Sequence, residues 1–120
     1  TMMINFVGLK HLTEALLPRI GKGGAIASIA STAGMGWKGN LELVRKFLAL
    51  GGFDAAEAWL KDSPELNADA YGFSKQCLIV YTMTKAGELA KRDIRINCIS
   101  PSPTARTFTA SSALLTRSFR

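Results

Sequence analysis

No stretch of this chain approaches the roughly 20 consecutive apolar residues that a helix needs to cross a bilayer. No signal-peptide pattern precedes its first predicted helix. The single histidine, His11, stands alone, and Cys77 and Cys98 have neither metal-ligand spacing nor a disulfide framework. No metal site is expected. Both cysteines sit in apolar surroundings, so they read as buried reduced thiols of a cytoplasmic protein. A formal net charge of +6 invites a nucleic-acid partner. Against it, the chain has no long Lys/Arg run, and its few aromatics do not interleave with the basic residues. Arg19, Lys22, Lys91 and Arg92 fall at predicted helix C-termini, where they complement the helix dipole. Neither nucleic acid nor a membrane is an expected partner.

What the 120 residues do contain is a tyrosine and a lysine four positions apart, in Ala70-Tyr71-Gly72-Phe73-Ser74-Lys75. That spacing puts Tyr71 and Lys75 on one face of a helix, about one turn apart. An ammonium beside a phenol favours the phenolate form, which suits proton exchange with an alcohol or carbonyl oxygen. Alone the pair is weak, since Tyr and Lys meet at this spacing by chance in many helices. Its weight comes from its neighbours. Upstream, Gly23-Gly24 opens the apolar run Ala25 to Ala30, which closes on Ser31-Thr32-Ala33-Gly34. This suits a buried parallel strand ending at a site loop. Downstream, Asp93 to Ser100 alternates and stops at Pro101, as a second strand would. Strand, helix and strand make a parallel crossover, and ligands of such sheets gather at the carboxyl ends of the strands.

Taken in order, these motifs resemble the short-chain dehydrogenase/reductase family. The family's Tyr-x-x-x-Lys falls on Tyr71 and Lys75, its catalytic serine on Ser31, and its helix asparagine on Asn5 in Asn5-Phe6-Val7-Gly8-Leu9. Its sixth strand and following loop fall on Arg95 to Thr104. The resemblance covers roughly residues 1 to 107 and implies an α/β fold. It predicts a piece of a Rossmann-like doubly wound parallel sheet, the catalytic half of the domain, with an irregular tail over 108–120. The family's glycine-rich turn, which holds a dinucleotide pyrophosphate at a helix N-terminus, has no counterpart here. Gly21-Lys22-Gly23-Gly24 precedes a strand and reads as a flexible turn. The chain therefore reads as a fragment.

Along the chain, Met3, Phe6, Val7, Leu9, Leu12, Leu16, Leu17 and Ile20 recur at helical spacing and predict one amphipathic helix over 2–19. Between Ser31 and Tyr71 lies more chain than most of the family has. A helical insertion over about 38–68 is expected, with one helix through Leu41 to Leu50 and a second capped by Asp54, with Phe53 as a staple. It resembles a subgroup containing bacterial 3α-hydroxysteroid dehydrogenase/carbonyl reductases and coniferyl-alcohol dehydrogenases. A cover over an apolar substrate and a packing element are equally good readings of it. Met83 is read as core filling, and Tyr81 as core or interface.

The resemblance implies NAD- or NADP-dependent interconversion of a secondary alcohol and a carbonyl, on a hydroxysteroid or other apolar or aromatic substrate. Tyr71 would be the acid–base group, Lys75 its helper and a ribose ligand, Ser31 the anchor of the substrate oxygen, and Asn5 the holder of a proton-relay water. Tyr71, Lys75, Pro101, Ser102 and Thr104 would meet the cofactor. Ser102 stands where the family has glycine, and Arg106 where it has threonine. A homodimer or homotetramer is the expected assembly. Two alternatives stand beside this reading: an inert fragment without the cofactor half, and an epimerase or dehydratase of the extended short-chain class.

Overall fold

The computed structural model describes residues 1–103, with two parallel strands, a long crossover helix between them and three shorter helices that share its core. The expected tail over 108–120 and the cofactor candidate Thr104 lie outside the described residues. The chain opens with a π-helical turn, Met3–Gly8, continues as α1, Leu9–Leu16, and ends in a 3-10 turn, Leu17–Arg19. One helix over 2–19 was expected. The segment is helical throughout, but its pitch changes twice. Gly8 tolerates the wide first turn, since a Cβ there would stand 3.1 Å from the Met3 carbonyl oxygen. Pro18 lacks an N–H to continue the ladder, so the last turn tightens and the Ile20 amide closes it on the Leu17 carbonyl at 3.1 Å.

β1, Ala25–Ile29, and β2, Arg95–Ile99, pair in parallel with Ala25 opposite Arg95 and Ile29 opposite Ile99. Gly23, at φ +83°, turns the chain into β1 and donates its amide to the Asp93 carbonyl at 2.8 Å. Between the strands runs α4, Ala70–Ala90. Side chains alternate across the pleat. Ile26, Ser28, Ile96 and Cys98 face inward, whereas Ala27, Ile29, Asn97 and Ile99 are exposed. A strand buried on both faces was expected at 24–30. Among the described residues it is covered on one.

The insertion forms α2, Leu41–Leu48, α3, Gly52–Lys61, and a 3-10 segment, Pro64–Asp69. The Asp54 cap is corrected. The helix starts three residues earlier, at Gly52, whose φ of +86° redirects the chain so that Gly51 becomes the cap residue. Asp54 lies inside the first turn, where its charge still suits the dipole. Phe53 meets His11 edge-on at 5.0 Å between ring centroids.

Both insertion helices join the core. Phe47 of α2 touches Phe6, Trp59 and Phe73 with centroids 6.0, 5.2 and 5.8 Å apart, and Phe6 meets Tyr81 edge-on at 5.9 Å. The opening helix, the insertion and α4 thus share one aromatic cluster, so the insertion packs as part of the body. Phe6 is 1% exposed, and truncating it to Ala should cost about 3–5 kcal/mol. Two expectations about the core fail. Met83 is exposed on the outer side of α4, and Leu12 and Leu16 are exposed on α1, whose inward face is narrower than the apolar pattern suggested. Cys77 is fully buried and Cys98 partly so, both as free thiols.

Candidate active site

The exits of the two strands stay joined beyond the sheet. Ala30 donates its amide to the Ile99 carbonyl at 2.7 Å, and Thr32 donates to the Pro101 carbonyl at 3.1 Å. Ser31 lies between them in extended backbone, and its Oγ accepts from the Ala33 amide at 3.2 Å. That bond caps a 3-10 turn, Thr32–Lys38, which carries the chain over α4. Gly34 makes the closest approach. A Cβ there would stand 2.8 Å from the Lys75 carbonyl carbon and 2.9 Å from the Ile79 Cδ1 atom.

α4 begins at Asp69, whose Oδ1 accepts from the Gly72 amide at 2.9 Å. This cap suits aspartate, which leaves one orphan donor of the first turn satisfied. Gly72 is required beside it, since any Cβ would collide with the Asp69 carboxylate. The first turn of the helix then presents Tyr71, half exposed at 49%. One turn on, Lys75 donates from Nζ to the Ile29 carbonyl at 2.8 Å, and its ammonium lies 5.5 Å from the Tyr71 ring centroid. The i,i+4 spacing thus brings phenol and ammonium together at the carboxyl end of β1.

Asn5 reaches the same helix by another route. Its Nδ2 donates to Ser74 Oγ at 3.4 Å, and Ser74 Oγ donates to the Tyr71 carbonyl at 2.7 Å. The Asn5 side chain thus meets α4 at Ser74, one residue before Lys75. Ser31 is held against the Ala33 amide, on a turn packed against the Lys75 backbone. Pro101 and Ser102 are exposed just past β2. Reading the residues missed Asp69, Ser74 and Gln76 as structural partners of this site. Asp69 carried a signal, an N-cap residue three positions before Gly72. Ser74 and Gln76 carried none, because their partners lie far away in the chain.

Two titratable groups on α4 stand apart from this arrangement. Burial pushes the Cys77 thiol up to about 12, and burial followed by the Glu14 and Glu88 carboxylates pushes the Tyr81 phenol up as well. Both stay protonated at ordinary pH and neither is an acid–base candidate.

Neither a protein-family profile nor a solved structure matches the chain. Over 101 residues, 83% of its length, the chain is 40% identical to a coniferyl-alcohol dehydrogenase of Pseudomonas sp. (strain HR199 / DSM 7063), and it spans 40% of that relative's length. With a likeness of that depth over most of its length, the chain belongs to the short-chain dehydrogenase/reductase family.

Proposed function

We propose that this chain supplies the acid–base side of an NAD- or NADP-dependent oxidoreductase that interconverts an aromatic or apolar alcohol and its carbonyl compound. The observation that carries the reading is the half-exposed Tyr71 phenol with the Lys75 ammonium beside its ring, at the carboxyl ends of two parallel strands. The relative's name adds the substrate class, and coniferyl alcohol, being primary, extends the reading from ketones to aldehydes.

The donor set fits a nicotinamide dinucleotide. Lys75 commits one ammonium hydrogen to Ile29, which leaves two for ribose hydroxyls, and Pro101 and Ser102 lie exposed just past β2. A nicotinamide dinucleotide held there would supply the hydride chemistry, as acceptor in oxidation and donor in reduction. In oxidation Tyr71 takes the hydroxyl proton as hydride leaves the carbon, and in reduction it gives that proton back. The Lys75 ammonium stands 5.5 Å from the Tyr71 ring centroid, on the side of the phenol that faces the strand ends. Ser31 donates its hydroxyl hydrogen to the substrate oxygen while its Oγ goes on accepting from the Ala33 amide. Asn5, through Ser74, steadies the turn of α4 that carries Tyr71.

The test uses the protein that contains this segment. Tyr71→Phe should lower turnover of an aromatic alcohol by about two to four orders of magnitude, with cofactor affinity by calorimetry unchanged. Near-normal turnover in that variant removes Tyr71 from the chemistry.

A further inference from the structure

The turn from Ser31 to Lys38 must hold a hydroxyl in place for chemistry performed on a different element, α4. Its near end is anchored to the sheet through the Thr32 amide and the Pro101 carbonyl, 3.1 Å apart. Its middle rests on α4 at Gly34, against the Lys75 backbone. The far end is held by a pair of amides. Asn40 donates from Nδ2 to Gln76 Oε1 at 2.9 Å, joining residues 36 apart in the chain.

Three features make this bond more than a chance surface contact. Gln76 is only 7% exposed, so its acceptor needs a partner inside the protein. Asn40 is the cap residue of α2, a position where asparagine ordinarily turns its side chain onto the helix amides. Here its side chain makes no such bond and is given to Gln76 instead, while its carbonyl accepts from the Val44 amide at 2.9 Å. Gly36 completes the fit, since a Cβ there would already be in contact with Gln76 Nε2 at 3.5 Å. Gln76 also follows Lys75 directly, so a shift of this clamp is felt at the turn of α4 that carries Tyr71 and Lys75.

We propose that Asn40 and Gln76 are positioning residues whose amide–amide hydrogen bond keeps the Ser31 turn in register with the Tyr71–Lys75 helix. The inference rests on the acid–base reading above. It touches neither substrate nor cofactor, and it acts through Ser31. Because Asn40 is exposed and its backbone role is independent of its side chain, Asn40→Ala keeps the backbone cap of α2 and removes the partner of the Gln76 acceptor.

The experiment measures alcohol oxidation in the protein containing this segment, for Asn40→Ala, Asn40→Asp, Ser31→Ala and the Asn40→Ala/Ser31→Ala double variant. Asn40→Ala should lower kcat about tenfold, the scale of a small misplacement of a reacting partner, with cofactor KM unchanged. Asn40→Asp should restore most of it, since the Gln76 amide can rotate and donate to the new carboxylate. The double variant should be no slower than Ser31→Ala alone, because the clamp works only through that hydroxyl. Additive losses, or an unchanged kcat in Asn40→Ala, overturn the proposal. Neither outcome bears on Tyr71, whose own variant tests the underlying chemistry separately.

Discussion

At the scale of single residues, the most useful signal is that i,i+4 spacing needs no tertiary knowledge. Tyr71 and Lys75 meet because any helix would bring them together, and the Lys75 ammonium does lie 5.5 Å from the Tyr71 ring centroid. Asn5 was harder to read, since Ser74, 69 positions away, is what it touches. Met83 was misplaced because a hydrophobic side chain at helical spacing says nothing about which faces of α4 find a neighbour. Cys77 and Tyr81 lead to a prediction about pH. Burial raises both acids in the folded chain, the thiol from about 9 to about 12. Lys85 lies over the Tyr81 ring at 5.9 Å, but the Glu14 and Glu88 carboxylates act the other way. The unfolded chain therefore releases these protons first. The stability they contribute is whole below about pH 9 and is lost as pH rises towards the folded value. The thermal midpoint should fall above pH 9, and should fall less in Cys77→Ala measured against its own value at pH 7. Equal slopes in both proteins remove the thiol as a cause.

At the scale of elements, strands and the long helix were legible because each has a clean local period and a sharp stop. The strands expected from the Ala25 to Ala30 run and the Asp93 to Ser100 alternation appear as Ala25–Ile29 and Arg95–Ile99, and the helix expected to carry Tyr71 and Lys75 appears as Ala70–Ala90. The short segments were not legible. The turns Thr32–Lys38 and Pro64–Asp69 have no apolar period, and they exist because the elements on either side fix their ends. The missed cap at Asp69 can be tested. Asp69→Ala frees the Gly72 amide and should lower stability by about 1 kcal/mol, read as a shift of the denaturant midpoint at constant slope. Gly34→Ala should cost about 1–3 kcal/mol by overpacking against the Lys75 backbone, and it should slow turnover more than Asp69→Ala does. The turn carrying Ser31 cannot take up a Cβ without leaving α4. If the two variants slow catalysis equally, the Gly34 contact has no special bearing on the site.

At the scale of the whole chain, the sheet is the unsatisfied element. It has only two strands among the described residues, so each has an edge, and Ile29 and Ile99 stand paired on the open face, each 58% exposed. Parallel sheets are ordinarily covered on both faces, because crossover helices lie on each side. An uncovered apolar face beside free strand edges is the pattern that draws chains together. The 120-residue polypeptide taken by itself should therefore self-associate as its concentration rises, seen as growth of the weight-average mass in sedimentation velocity. Ile29→Thr with Ile99→Thr removes apolar surface without changing strand pairing or the inward face, and should shift association to higher concentration. A polypeptide that stays monomeric across the dilution series, with the double variant indistinguishable from it, would mean that the open face is not a contact surface at all.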